Sequence, residues 1–174
     1  MSTISNDLPR VETEVRNVRT HTAIVVAVIA LALQVHLPLY FDNLGNLDLL
    51  LLVVVYLTLS RRDVVIGLLI GAAVGLAQDS LTQGPIGVFG ILKTVIGYLA
   101  ATVSRFIEVD FIGARSVLTA LFFLIHQLMF WIMEAVLLGN EISIDPVGTL
   151  ILATIHAGIA VLLFRFLDQF RTAP

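Results

Sequence analysis

The chain has 174 residues, of which 58% are hydrophobic and 13% charged, and its mean hydropathy of +0.99 leaves room for one transmembrane domain and no separate soluble one. A net charge of -3 and a pI near 5.7, with no basic stripe or aromatic platform, exclude nucleic acid as a partner. Cysteine is absent, which removes disulfides, thiolate chemistry and cysteine metal sites.

Residues 1–21 form a polar tail expected on the cytoplasmic side. Pro9 after Asn6 and Asp7 marks a helix start, and Val11, Val15 and Val18 share a face. The tail either lies on the inner leaflet or against a partner, or extends the first span as a frayed end. A signal-peptide reading of Ala30-Leu31-Ala32 is outweighed by Asp7, Glu12 and Glu14 in the tail and by the apolar run that continues past the supposed cut.

Six apolar runs follow within residues 22–168: Ala23 to Leu39, Leu47 to Leu59, Val64 to Leu81, Ile86 to Ile107, Val117 to Leu138 and Val147 to Leu167. Crossing roughly 30 Å of hydrocarbon takes about 20 helical residues, so the second run is short. It must recruit residues from Asn43 to Asp48, or sit where neighbouring helices cover its ends. Residues 169–174 close the chain as a second cytoplasmic tail. Every arginine falls on one side of this alternation, whereas the opposite connections carry Asp42, Asp48, Glu141 and Asp145 and no Lys or Arg. The positive-inside rule then places both termini in the cytoplasm. The fold expected is all-α, a polytopic membrane protein of six transmembrane helices.

The stretch GLAQDSLTQGPIGVFGILK, residues 75–93, is the most unusual, because it sets Asp79 and Lys93 at membrane depth around the turn at Gly84-Pro85. Gly67, Gly71 and Gly75 form a small-residue ridge, and Asp79 is its next step, facing the bundle. Gly90, Thr94, Gly97 and Ala101 form a second stripe bordered by Lys93, roughly 12 Å inward of Pro85. This geometry allows an Asp79–Lys93 ion pair; it equally allows Lys93 to snorkel alone while Asp79 caps the turn.

Gln34, His36 and Glu134 gather in the same half and suggest a cavity or partner groove open to the outside. Gln127 and Glu134 lie one heptad apart with Trp131 between them, as a polar seam or as interfacial anchors. His126 and His156 fall near the membrane centre, where a lone histidine is most often a neutral packing residue. No GxSxG, HExxH, phosphate-binding glycine loop, filter motif or matched interrupted helices occur, so the chain carries no catalytic constellation and no sign of a channel or transporter.

The sequence resembles the MreD family of bacterial rod shape-determining proteins. The resemblance rests on Leu33-Gln34, on NLDLLLLVVVYLTLSRR with Asp48, Tyr56 and its basic pair, on GLLIGAAVGLAQDSLTQGPIGVFG, and on Gly97-Tyr98. Gly75, Asp79, Gly84 and Gly87 occupy the positions of the family's glycine-aspartate-glycine pattern. Leu47 departs from it, standing where the family often has proline, and the N-terminal tail is longer than usual.

The resemblance implies a non-enzymatic, cofactor-free subunit of the inner-membrane elongation machinery that inserts peptidoglycan along the lateral wall. It implies the single-span protein MreC as partner and, through it, RodA, a class B penicillin-binding transpeptidase and MreB. The family is also similar in fold to the substrate-binding subunits of energy-coupling-factor transporters, which supplies an alternative: a subunit binding a vitamin-like molecule, with Ala23 and Ala27 as a docking pair. The residues expected to form a partner interface or outer cavity are Gly71, Gly75, Asp79, Gly84, Gly87, Lys93, Gln34 and Glu134.

Overall fold

A computed structural model describes residues 20–40, 47–82, 85–107, 111–137, 139 and 144–170. Expectations placed on the N-terminal tail before Thr20, on Gly84, on Asp42 and Glu141, and on the tail after Phe170 fall outside these residues. The described chain forms α1 (Thr20–Tyr40), α2 (Leu49–Arg61), α3 (Val64–Leu81), α4 (Val88–Val103), α5 (Ile112–Leu137) and α6 (Pro146–Asp168). Helices α3, α5 and α6 are long and apolar enough to cross a membrane, whereas the apolar stretch His21–His36, α2 and α4 are shorter.

Helix α2 is the centre of the bundle and touches each of the other five helices. Its sequence LLLLVVVYLTLSR is apolar on every side, the pattern of a helix surrounded by protein, and every residue from Leu50 to Ser60 is buried. Thirteen residues rise only about 20 Å, short of the hydrocarbon thickness. The short second run therefore sits where its neighbours cover its ends, the second of the two solutions its length permits.

The cap residue and side chains from two other helices satisfy the start of α2. Asp48 caps it, accepting from Leu51 N–H at 2.9 Å. Gln34 of α1 accepts from Leu49 N–H and donates to the Leu47 carbonyl, both at 2.7 Å. His156 of α6 accepts from Asp48 N–H through Nε2 at 3.0 Å. At the far end Arg62 takes a left-handed conformation (φ 52°), its N–H bonded to Thr58 O, and Asp63 caps α3, which makes the α2–α3 connection a tight hairpin.

Helices α3 and α4 lie together along their length, since each glycine of the ridge meets bare backbone. A Cβ on Gly67 would stand 2.7 Å from the Gly97 carbonyl oxygen, one on Gly75 2.7 Å from Gly90 Cα, and one on Gly71 2.8 Å from Thr94 Cα. Helices α5 and α6 form the other close pair, and among the described elements α1 packs on α2 and α3. The outer face of α1 exposes Ile24, Val25, Val28 and Ile29, as a lipid-facing helix does. Ala23 packs into the chain's own core and Ala27, half-buried, beside it.

Candidate functional site

Polar side chains that hydropathy alone would forbid meet at the end of the bundle where α2 begins. Lys93, on α4, is fully buried, and its Nζ donates to Asp48 Oδ2 at 2.5 Å. The ammonium also stands 5.0 Å from the centroid of the Phe89 ring. A bare charge in this setting costs several kcal/mol, roughly, and pairing with a capped carboxylate is what makes the position tenable.

The expected Asp79–Lys93 pair does not form. Asp79 is buried and faces the bundle, as its place on the ridge requires, but its carboxylate accepts from three backbone N–H groups: Gly87 at 3.0 Å, Phe89 at 3.0 Å and Gly90 at 2.8 Å. These are the orphan donors at the start of α4, where the residue at the cap, Gly87, has no side chain to offer them. A carboxylate there also complements the positive end of the helix dipole. Gly87 itself adopts φ 103°, a conformation open to glycine at little cost. Nor does Lys93 snorkel: a partner on α2 intercepts it.

Two histidines complete the cluster in different ways. His156 stacks on Phe123 with centroids 4.0 Å apart, and its Nδ1–H donates to the Leu152 carbonyl at 2.8 Å, leaving Nε2 to accept from Asp48 N–H. Both nitrogens are used, which fixes the neutral tautomer bearing hydrogen on Nδ1. His126 is as deeply buried, yet its Nε2 lies 3.6 Å from Asp48 Oδ2, beyond hydrogen-bond range, and neither ring nitrogen has a partner.

Beside this cluster lies a cavity of about 870 Å³ bounded by α1, α3, α4, α5, α6 and the approach to α2. Gln34, Asp48, Gln78 and His126 line it, with Gln127 and Trp131 of the proposed polar seam. Glu134, half-buried on the same helix, is not among the lining residues. Gly71 and Gly75 are taken up by α4 of the same chain and are not open to a second one, which corrects the expectation that their ridge receives a partner helix. Of the expected residues, then, Gln34 reaches the cavity, Lys93 stands behind it paired to Asp48, and Asp79 and Gly87 shape the α3–α4 turn.

The opposite end of the bundle holds a second cluster. Arg115, buried at the start of α5, donates to both oxygens of Asp168 at 3.2 and 2.9 Å, and Tyr56 OH donates to Asp168 Oδ1 at 3.0 Å. Arg115 is thus more than a loop charge, since it ties α5 to α6 through Asp168, to which Tyr56 joins α2. Composition hides this role because an arginine beside a span reads equally well as a topology signal.

Among the described residues no three His, Asp or Glu side chains come together to hold a metal ion. Asp48 is the residue that sequence reasoning placed on the wrong side of the problem, as a charge in a connection. The available signal was its position directly before an apolar run with no other polar group for seven residues, where a buried N-cap must find its neutralising partner elsewhere.

No curated protein matches the chain, and no solved structure does. One family model does, that of the rod shape-determining protein MreD, over residues 15–171. That match embraces all six helices, the Asp48–Lys93 pair and the Asp79 turn, and the protein, with three helices fit to cross a bilayer, is a membrane protein that belongs to the MreD family of rod shape-determining proteins.

Proposed function

We propose that this chain is a non-enzymatic subunit of the bacterial cell-elongation machinery, holding the single-span protein MreC and supporting lateral peptidoglycan synthesis. The observation that carries it is the family match across nearly the whole chain. In this reading RodA, a class B penicillin-binding transpeptidase and MreB are reached through MreC, and membrane lipid covers the remaining surface.

All six helices cross the inner membrane, with α2 and α4 shielded by longer neighbours, and both termini are cytoplasmic. Support comes from the charges at the two ends: Arg61, Arg62, Arg105, Arg115 and Arg165 lie toward one, and Asp48 and Asp145 toward the other. The Asp48 end is then the outer one. Gly71, Gly75, Asp79, Gly87 and Lys93 give the frame its shape by fixing α3 on α4, and Gln34 fixes the start of α2; Glu134 belongs to the same outer end. The partner's span meets this frame from outside.

The test is depletion of the protein in a rod-shaped host, followed by microscopy and recovery of MreC on the tagged chain. Rounded cells, restored by the wild-type chain, are the expected result. Rods that persist after depletion overturn the proposal.

A further inference from the structure

The cavity at the Asp48 end has the dimensions of a binding site, and two side chains of its wall hold unused hydrogen-bonding atoms one rotation away from it. Its volume of about 870 Å³ far exceeds the roughly 30 Å³ share of one water molecule and lies within the usual range for ligand pockets. Two side chains of the wall are nine-tenths buried and leave polar atoms unpartnered just behind its surface, sealed from the cavity in this arrangement: Gln78, at Oε1, and His126, at both ring nitrogens. Buried polar groups are almost always paired, and leaving one unpaired costs about 1–3 kcal/mol. Their capacity is one amide acceptor plus the donor and acceptor of a neutral imidazole.

Charge narrows the ligand. Among the described lining residues there is no Lys or Arg, and Lys93 behind the wall is already neutralised by Asp48, so nothing holds a phosphate or carboxylate. A cation is no better served in the interior. The Asp48 carboxylate is engaged by Lys93 and Leu51 N–H, and Asp145 sits exposed at the rim, capping α6 through Gly148 N–H. The interior therefore asks for an uncharged ligand that both donates and accepts.

Shape narrows it further. Phe89, Phe123, Phe130 and Trp131 line the same space, with Phe89 stacked on Phe130 at 5.8 Å. Aromatic faces beside amides and hydroxyls suit a ring that is apolar on its faces and hydroxylated at its edge.

We infer that this cavity binds an uncharged saccharide ring, carried on a free sugar or on a glycolipid headgroup. A turn of the Gln78 amide and of the His126 ring brings their open hydrogen-bonding atoms onto its hydroxyls, while Phe130 and Trp131 cover its face. The site is independent of the shape-determining role, which cell rounding tests separately, so the failure of either is visible on its own.

The chain supplies its own reporter, since Trp131 is its single tryptophan and lines the cavity. The full chain is placed in nanodiscs of phosphatidylethanolamine and phosphatidylglycerol and its tryptophan emission followed. The probes are maltose, diglucosyl diacylglycerol doped into the disc, inorganic pyrophosphate and choline. A saturable change with maltose or with the glycolipid supports the site, and which of the two acts identifies the source. The apparent affinity falls at least tenfold in Gln78→Leu and in His126→Phe. Gln127→Leu, at a half-buried wall position, gives a smaller loss and serves where the deeper variants do not fold. No response to either sugar source overturns the inference, as does an equal response to pyrophosphate or choline, an undiminished response in the folded variants, or a response seen only when a partner protein is added.

Discussion

Asp48 does three things at once: its Oδ1 caps α2, its Oδ2 holds Lys93, and its N–H is received by His156. Removing only the cation should be more damaging than removing both charges, because the carboxylate would stay buried without compensation. Lys93→Met is expected to lower stability by about 3–5 kcal/mol, read from unfolding in mixed micelles. Adding Asp48→Asn, which keeps a capping oxygen, should recover most of that loss. Recovery by Asp79→Asn instead would place the lysine's partner where the local sequence suggested. That suggestion failed for a physical reason: helical periodicity reports which way a side chain faces and how deep it lies, and both were legible for Asp79 and Lys93. It is silent on which of several buried carboxylates a lysine reaches, here one 45 residues away.

At the scale of elements, the hydropathy pattern located all six helices, with ends displaced by a few residues where polar side chains rather than apolar ones set the boundary. Helix α5 starts at Ile112 rather than Val117, since Arg115 is buried against Asp168 and belongs inside the helix. The glycine ridge was equally legible as a close-packing surface, but not which helix would fill it. Covering by α4 makes the ridge intolerant of any side chain. Gly71→Ala should cost about 1–3 kcal/mol by forcing α3 and α4 apart, and it should disturb Lys93, whose backbone lies against Gly71. Ala at Gly158, with open space around it, is the matched control. Equal unfolding midpoints for the two variants would refute a tight α3–α4 seam.

For the molecule as a whole, two polar clusters bracket one apolar core. Asp48, Lys93 and His156 close one end on α2, α4 and α6; Tyr56, Arg115 and Asp168 close the other on α2, α5 and α6. Helix association in lipid gains little from apolar contact, so close backbone packing and such polar ties carry most of the specificity. Both clusters include α2, the shortest helix and the one that meets all the others. The cavity lies off the axis of this frame and was not legible in any one segment, because it arises from where several elements fail to meet rather than from any one of them.

The placement of α2 also has a consequence in time. A ribosome delivers Asp48 to the membrane well before Lys93, and α2 before four of the five helices that shield it. Until α4 arrives, this short helix carries a carboxylate with no counter-ion, so its first placement is provisional. Nascent chains released after α3 should leave the α2–α3 hairpin accessible to protease, and chains released after α4 should protect it. Protection already complete at α3 would mean that the hairpin settles unaided. Protection that waits for α4 makes the pair that holds the finished protein together a checkpoint in its synthesis as well, withholding a stable α2 until the chain has grown far enough to keep it.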